Sequence, residues 1–157
     1  MEEPLEEFLT DSRLLGTKLG PILVQLPPSL AFEPGLATSF FTALRDRHAG
    51  PIACEPRHPS WFADDADGLL KTSAIGRVAA DPAVVPAAAE PGGWPALVYY
   101  RLHGSPRKYF SAYEEESIRR LASTVEEAAV EVLCIFDNTA SGAAAGDALN
   151  LLAATAS

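Results

Sequence analysis

The sequence predicts an α/β domain in which parallel strands of one sheet or barrel are each followed by an outer helix. Three observations carry this. A short apolar run followed by a helical stripe recurs five times along the chain. Each apolar run closes on polar or ionisable residues, so the strand ends would share one crown, as at the C-terminal mouth of a (β/α)8 barrel. The 157 residues are 48% hydrophobic and 21% charged, which suits one domain with a real core, and no linker interrupts them.

The elements follow in order. Leu5, Phe8, Leu9, Leu14 and Leu15 form a helical stripe, ended by Gly16 and by Gly20 before Pro21. Residues 21–26 read as a buried strand stopped by Pro27 and Pro28. Residues 35–48 predict a helix with Leu36, Phe40, Phe41 and Leu44 on one face. The second strand, 52–55, runs into the densest polar segment, CEPRHPSWF at 54–62. Ser60 is expected to cap a helix reaching residue 71, with Asp64 and Asp65 in its first turns. A third strand, 76–80, ends at Asp81 before Pro82. Residues 83–95 are rich in Ala, Pro and Gly and predict an irregular crossover, the weakest unit. The fourth strand, 96–102, leads to His103 and Gly104, then a loop over 105–113. An amphipathic helix is expected over 114–129, a fifth strand over 131–136 ending at Asp137 and Asn138, and a small-residue helix over 142–154.

Side chains alternate faces along a strand. Gln25 then shares a face with Leu23, Glu55 with Ala53, Asp81 with Ala79 and Arg77, Arg101 and His103 with Tyr99, and Asp137 with Ile135 and Leu133. If those faces all point inward, they build a polar layer above a filled barrel core. A doubly wound open sheet is the rival, but it would use loops and helix N-termini more than inward faces.

Bulk charge narrows the function. The net charge is -9 and the pI about 4.7, so nucleic-acid backbones and anionic lipid are repelled at long range, and non-specific nucleic-acid binding is not expected. A local basic pocket stays open. The acidic opening MEEPLEEFL lacks the basic region of a secretory signal, and no run of 18 apolar residues suggests a membrane span. The expectation is a cytoplasmic protein with no membrane partner. Cys54 and Cys134 lie in strand-like runs and read as free buried thiols of a reducing compartment.

The segments LGPILVQLPPSL (19–30), EPRHPSWF (55–62), AADP (79–82), YYRLHGSPRKYFSAY (99–113) and FDNTASGAAAGDAL (136–149) resemble the YecE-like family, also called domain of unknown function 72, in order and spacing over almost the whole chain. The resemblance implies a TIM barrel and no established reaction. It also implies that the family's N-terminal part, with a Gly-Thr-Ser-Gly-Trp-like opening, is absent. A (β/α)8 barrel takes about 250 residues, or about 30 per unit, so about three units are expected to be missing and the five strands to correspond to strands four to eight. Such a piece would have two open sheet edges, which invite self-association.

The candidate catalytic residues are Glu55, His103 and Asp137. The candidate ligand-binding residues are Gln25, Arg57, His58, Trp61, Asp81, Arg101, Tyr109, Tyr113 and Asn138. Glu55, Asp81, Asp137 and His103 read either as ligands of a divalent metal or as an ion-pair layer with Arg57 and Arg101. No HxH or CxxC spacing favours the metal. The two arginines would clamp a phosphate or carboxylate, or neutralise the acids. His103 reads as a general acid or base, or as a hydrogen-bonded structural histidine. Trp61, Tyr109 and Tyr113 would stack on a sugar or base, or pack the loops on the rim, with Arg107 and Lys108 adding positive charge nearby. No cofactor is specified. The leading expectation is a small anionic, phosphorylated or polyol ligand, with acid–base hydrolysis or isomerisation as the reaction class. The alternatives are a metal-assisted phosphodiesterase acting on nucleic acid, by fold analogy, and a non-catalytic binding or remnant protein.

Overall fold

A computed structural model describes residues 2–156. Helix α1 (Glu2–Arg13) and a 3-10 turn (Gly16–Lys18) precede strand β1 (Ile22–Gln25). Helix α2 (Pro34–Arg47) starts where Glu33 caps it, its carboxylate accepting the amides of Gly35 and Leu36, with Pro34 at the first helical position. Strand β2 (Ile52–Glu55) leads through a 3-10 turn (Pro59–Phe62) into α3 (Asp64–Thr72). Then come β3 (Gly76–Arg77), β4 (Ala79–Asp81), β5 (Gly92–Gly93), β6 (Val98–Leu102), α4 (Glu115–Glu127), β7 (Val132–Phe136) and α5 (Ala143–Ala154).

The strands pair in the orders β1-β2-β3-β5 and β4-β6-β7, parallel everywhere except between β3 and β5. The third expected strand is therefore two. It breaks at Val78, which leaves the first sheet for the second while its amide still donates to the Cys54 carbonyl at 2.8 Å. Strand-then-helix holds four times rather than five. After Asp81 the crossover is a 3-10 turn (Pro86–Ala89) followed by β5, because its prolines and small residues offer no apolar helical stripe. Gly93 sits at a φ of 63°, and a Cβ there would lie 2.5 Å from the Ile75 carbonyl, so β5 reaches β3 only with glycine at that point. Ser60 does not cap α3. Its hydroxyl accepts the Phe32 amide at 2.7 Å, and α3 starts later, after Ala63.

The helices cover one side of the strands. Leu9, Phe41, Leu44, Ile52, Trp61 and Leu70 form the core beneath α1–α3, and Tyr100, Leu102, Ile118, Ala122 and Leu151 bury the side under α4 and α5. The opposite, inner side is a smaller layer of Leu23, Ala53, Val78, Tyr99 and Leu133. Among the described residues β1 and β7 each pair on one side only, and Ile135 on β7 is 37% exposed. Cys54 is fully buried, which pushes its thiol well above the ordinary range, and burial lifts Cys134 to about 11. Both thiols are free. No described helix is long and apolar enough to cross a membrane.

Candidate functional site

Parity carries Glu55, Arg101 and Asp137 to one place. Ala53, Tyr99 and Leu133 form the inner layer, so residues an even number of positions further along emerge on the same side at the strand ends. Glu55 ends β2 only 2% exposed. Its Oε1 accepts from Arg57 Nε at 3.1 Å and Nη2 at 2.9 Å, and its Oε2 accepts from Arg101 Nη1. Arg101 reaches Asp137 with Nη2 and donates to Gln25 Oε1 at 2.7 Å. One guanidinium thus ties together the ends of β1, β2, β6 and β7. His103, also 2% exposed, stands between the acids, with Nε2 3.5 Å from Glu55 and Nδ1 3.3 Å from Asp137. Neither contact has hydrogen-bond alignment, and neither ring nitrogen has another partner among the described residues.

The electrostatics follow from the packing. Burial alone would raise the Glu55 pKa, but His103, Arg101 and the Arg57 charge override it and hold the carboxyl at about 2. Burial opposes the charge on Arg101, yet Glu55 and Asp137 more than offset it and keep its pKa above the ordinary value. Two carboxylates and two guanidiniums balance, so the local surplus of charge comes from Lys108, which lines the adjoining cavity of about 160 Å³ with Glu55, Arg57, His103 and Phe62. A neutral imidazole carries one N–H and can serve only one of two flanking acids.

Tyr109 joins this group from the loop after β6. Its ring meets His103 edge-on with centroids 5.6 Å apart, and Lys108 Nζ lies 5.0 Å from the ring centre. Arg57 and Lys108 are the cations that act on its hydroxyl and favour its ionised form.

The remaining sequence candidates go elsewhere. Asp81 does share a face with Arg77 and Ala79, but that face is the outer one. Arg77 pairs with Cys54 in the sheet and points to Asp67 on α3, with Nε to Oδ1 at 2.9 Å. Asp81 accepts the Tyr113 hydroxyl at 2.7 Å, and that hydroxyl also accepts the Gly104 amide at 2.9 Å. Asp81 and Tyr113 instead line a groove of about 560 Å³ between β4 and α4. The four-ligand metal set therefore loses Asp81, and both oxygens of Glu55 already face guanidinium donors. Among the described residues no three His, Cys, Asp or Glu side chains group as metal ligands.

Trp61 is core: its Nε1 donates to the Leu30 carbonyl at 2.9 Å and its ring packs on Phe32 and Phe41. His58 caps the 3-10 turn, with Nδ1 accepting the Ser60 amide at 3.2 Å and lying 2.8 Å from the Ser60 hydroxyl. Asn138 is fully buried and donates to the Ser111 carbonyl at 2.9 Å and to Asp147 at 2.6 Å. Asp147, a buried acid of α5 that the sequence reading missed, also accepts the Tyr113 amide at 3.2 Å. Its signal is an aspartate one turn before Leu151 on the buried stripe of a helix otherwise made of Ala, Leu, Gly and one Asn.

The fold is shared with solved structures. A DUF72 family protein from Thermotoga maritima superposes with a TM-score of 0.81 at 24% identity, covering 99% of this chain and 66% of that one. DUF72 family structures from Enterococcus faecalis give TM-scores of 0.78 at 23% identity, covering 99% of this chain and 66% of that chain, and 0.76 at 26%, covering 97% and 68%. The chain thus spans about two thirds of the length of these relatives. No curated protein matches the sequence. The family described as "Protein of unknown function DUF72" matches over residues 1–157, and the chain belongs to that family, the YecE-like proteins.

Proposed function

We propose that the strand-end cluster binds a small anionic ligand, a phosphorylated or carboxylated polyol, and that His103, Glu55 and Asp137 can move protons on it in a hydrolysis or isomerisation. The observation that carries this reading is the cavity beside Glu55. Arg57 is held there by both its Nε and one Nη on a buried carboxylate, while Lys108 adds a cation without a carboxylate partner among the described residues. A preset guanidinium beside an ammonium with no carboxylate partner among the described residues suits an oxyanion, because the guanidinium donors are oriented before the ligand arrives. The ion-pair layer and the ligand site are then the same structure, with Glu55 and Asp137 orienting the arginines.

The same reading treats the strands as five of the eight of a TIM barrel, strands four to eight. The parallel pairing of β1 with β2, of β2 with β3, of β4 with β6 and of β6 with β7 supports it, as does the match to 66% of a relative's length, since a full barrel takes about 250 residues. The one-sided pairing of β1 and β7 then marks where further strands, or another copy of the chain, would add.

Calorimetric titration with glycerol 3-phosphate tests the ligand class. Saturable binding that Arg57→Ala weakens at least tenfold is expected. Equal affinity in the wild type and the variant, or no binding by either, refutes it.

A further inference from the structure

We propose that Tyr109 is the group that transfers a proton to an oxyanion seated against Arg57 and Lys108, an inference that rests on the anion-site reading above.

Backbone geometry is the first support. Tyr109 adopts a φ of 69°, in the left-handed region that bulky residues avoid. The surrounding structure imposes it. The Tyr109 amide donates to the His103 carbonyl at 2.5 Å, and its carbonyl accepts the Ala140 amide at 3.0 Å. Buried Asn138 holds the Ser111 carbonyl, and the Ser141 hydroxyl holds that of Phe110. Gly104, at a φ of 91°, lets the loop fold back, since a Cβ there would stand 2.7 Å from the Ser111 carbonyl. The loop is clamped at several points to keep one strained aromatic over His103.

Placement is the second. The charged and titratable groups facing Tyr109 are Arg57 from beyond β2, Lys108 from its own loop and His103 from the end of β6, with Glu55 and Asp137 behind His103. The charges of Arg57 and Lys108 favour the phenolate. Burial is the largest single influence and disfavours that charge, yet Arg57 and Lys108 together override it and hold the Tyr109 pKa below its ordinary 10. Burial instead raises Tyr99, Tyr100 and Tyr113, so Tyr109 stands apart among the chain's four tyrosines.

The step is a simple transfer. The Tyr109 O–H bond breaks as an O–H bond forms on the ligand oxygen. The bonding pair stays on the phenol oxygen as phenolate, neutralised by Arg57 and Lys108. A proton from water restores the phenol. Transfer in reverse makes Tyr109 the base.

Ultraviolet titration of the tyrosinate band tests this without a known substrate. The wild type is expected to ionise one tyrosine below pH 10 and the rest above it, and Tyr109→Phe to lose the early step. Lys108→Met should move the step upward. Saturating inorganic phosphate, whose binding is followed separately by phosphorus NMR line width, should also move it upward, because the anion then shares the cations and accepts the O–H. An early step that persists in Tyr109→Phe overturns the inference. Phosphate that binds yet leaves the step in place overturns it while sparing the anion site. Phosphate that does not bind removes both.

Discussion

Replacing Glu55 by Gln keeps the volume of the side chain and removes the one carboxylate gripped by both Arg57 and Arg101. Glu55 is 2% exposed, so its charge is not screened by water, and Arg57 loses its carboxylate partner altogether. Removing one member of a buried ion pair typically destabilises by about 3–5 kcal/mol. The carboxyl's own titration gives a similar figure: a fall from the ordinary 4.5 to about 2 is worth about 3 kcal/mol at about 1.4 kcal/mol per pH unit. Because the folded protein binds this proton less readily than the unfolded chain, the stabilisation is complete above about pH 4.5 and is lost as the pH falls towards 2. Urea unfolding of wild type and Glu55→Gln across this range measures it. At pH 7 the variant should be less stable by about 3 kcal/mol, and the gap should close on acidification as the wild-type carboxyl takes up its proton. Equal stability at pH 7, or a gap that stays constant down to the lowest pH, would refute the account of the cluster.

Two further outcomes separate the site from its supports. Tyr113→Phe leaves Asp81 and the Gly104 amide without their shared hydroxyl, which should destabilise by about 1–3 kcal/mol in urea unfolding while leaving glycerol 3-phosphate affinity unchanged. Asn138→Ala removes the buried donor to Ser111 and Asp147. It should destabilise by a similar amount, about 1–3 kcal/mol, and should also speed amide exchange across residues 103–111 and weaken ligand binding, because the loop that carries Lys108 and Tyr109 loses its anchor.

Much of this was legible in the residues, for identifiable reasons. Period-two alternation correctly grouped Gln25, Glu55, Arg101 and Asp137, because each strand is short, regular and paired in register with its neighbour. It went wrong at Asp81. Alternation says which residues share a face, not which face is inward, and only the pairing of Cys54 with Arg77 places that set outward. Val78, not Ala79, turned out to be the inner residue. The loss of Trp61 and His58 from the site has a different cause. The polar run CEPRHPSWF looks continuous in sequence, but the 3-10 turn at Pro59 folds the indole back under α2, where its area and its N–H are both satisfied. The irregular third crossover was legible from composition alone. The positive φ at Tyr109 was not, since nothing local announces a strained tyrosine.

The most direct test of the central claim, that the strand ends form an anion site built on a shared ion-pair layer, is an amide NMR titration of the full chain with inorganic phosphate. The account predicts saturable shifts at Glu55 and Arg57, from His103 to Tyr109 and at Asp137, with Trp61 unmoved. Shifts confined to the groove between β4 and α4, or none at all, would contradict it.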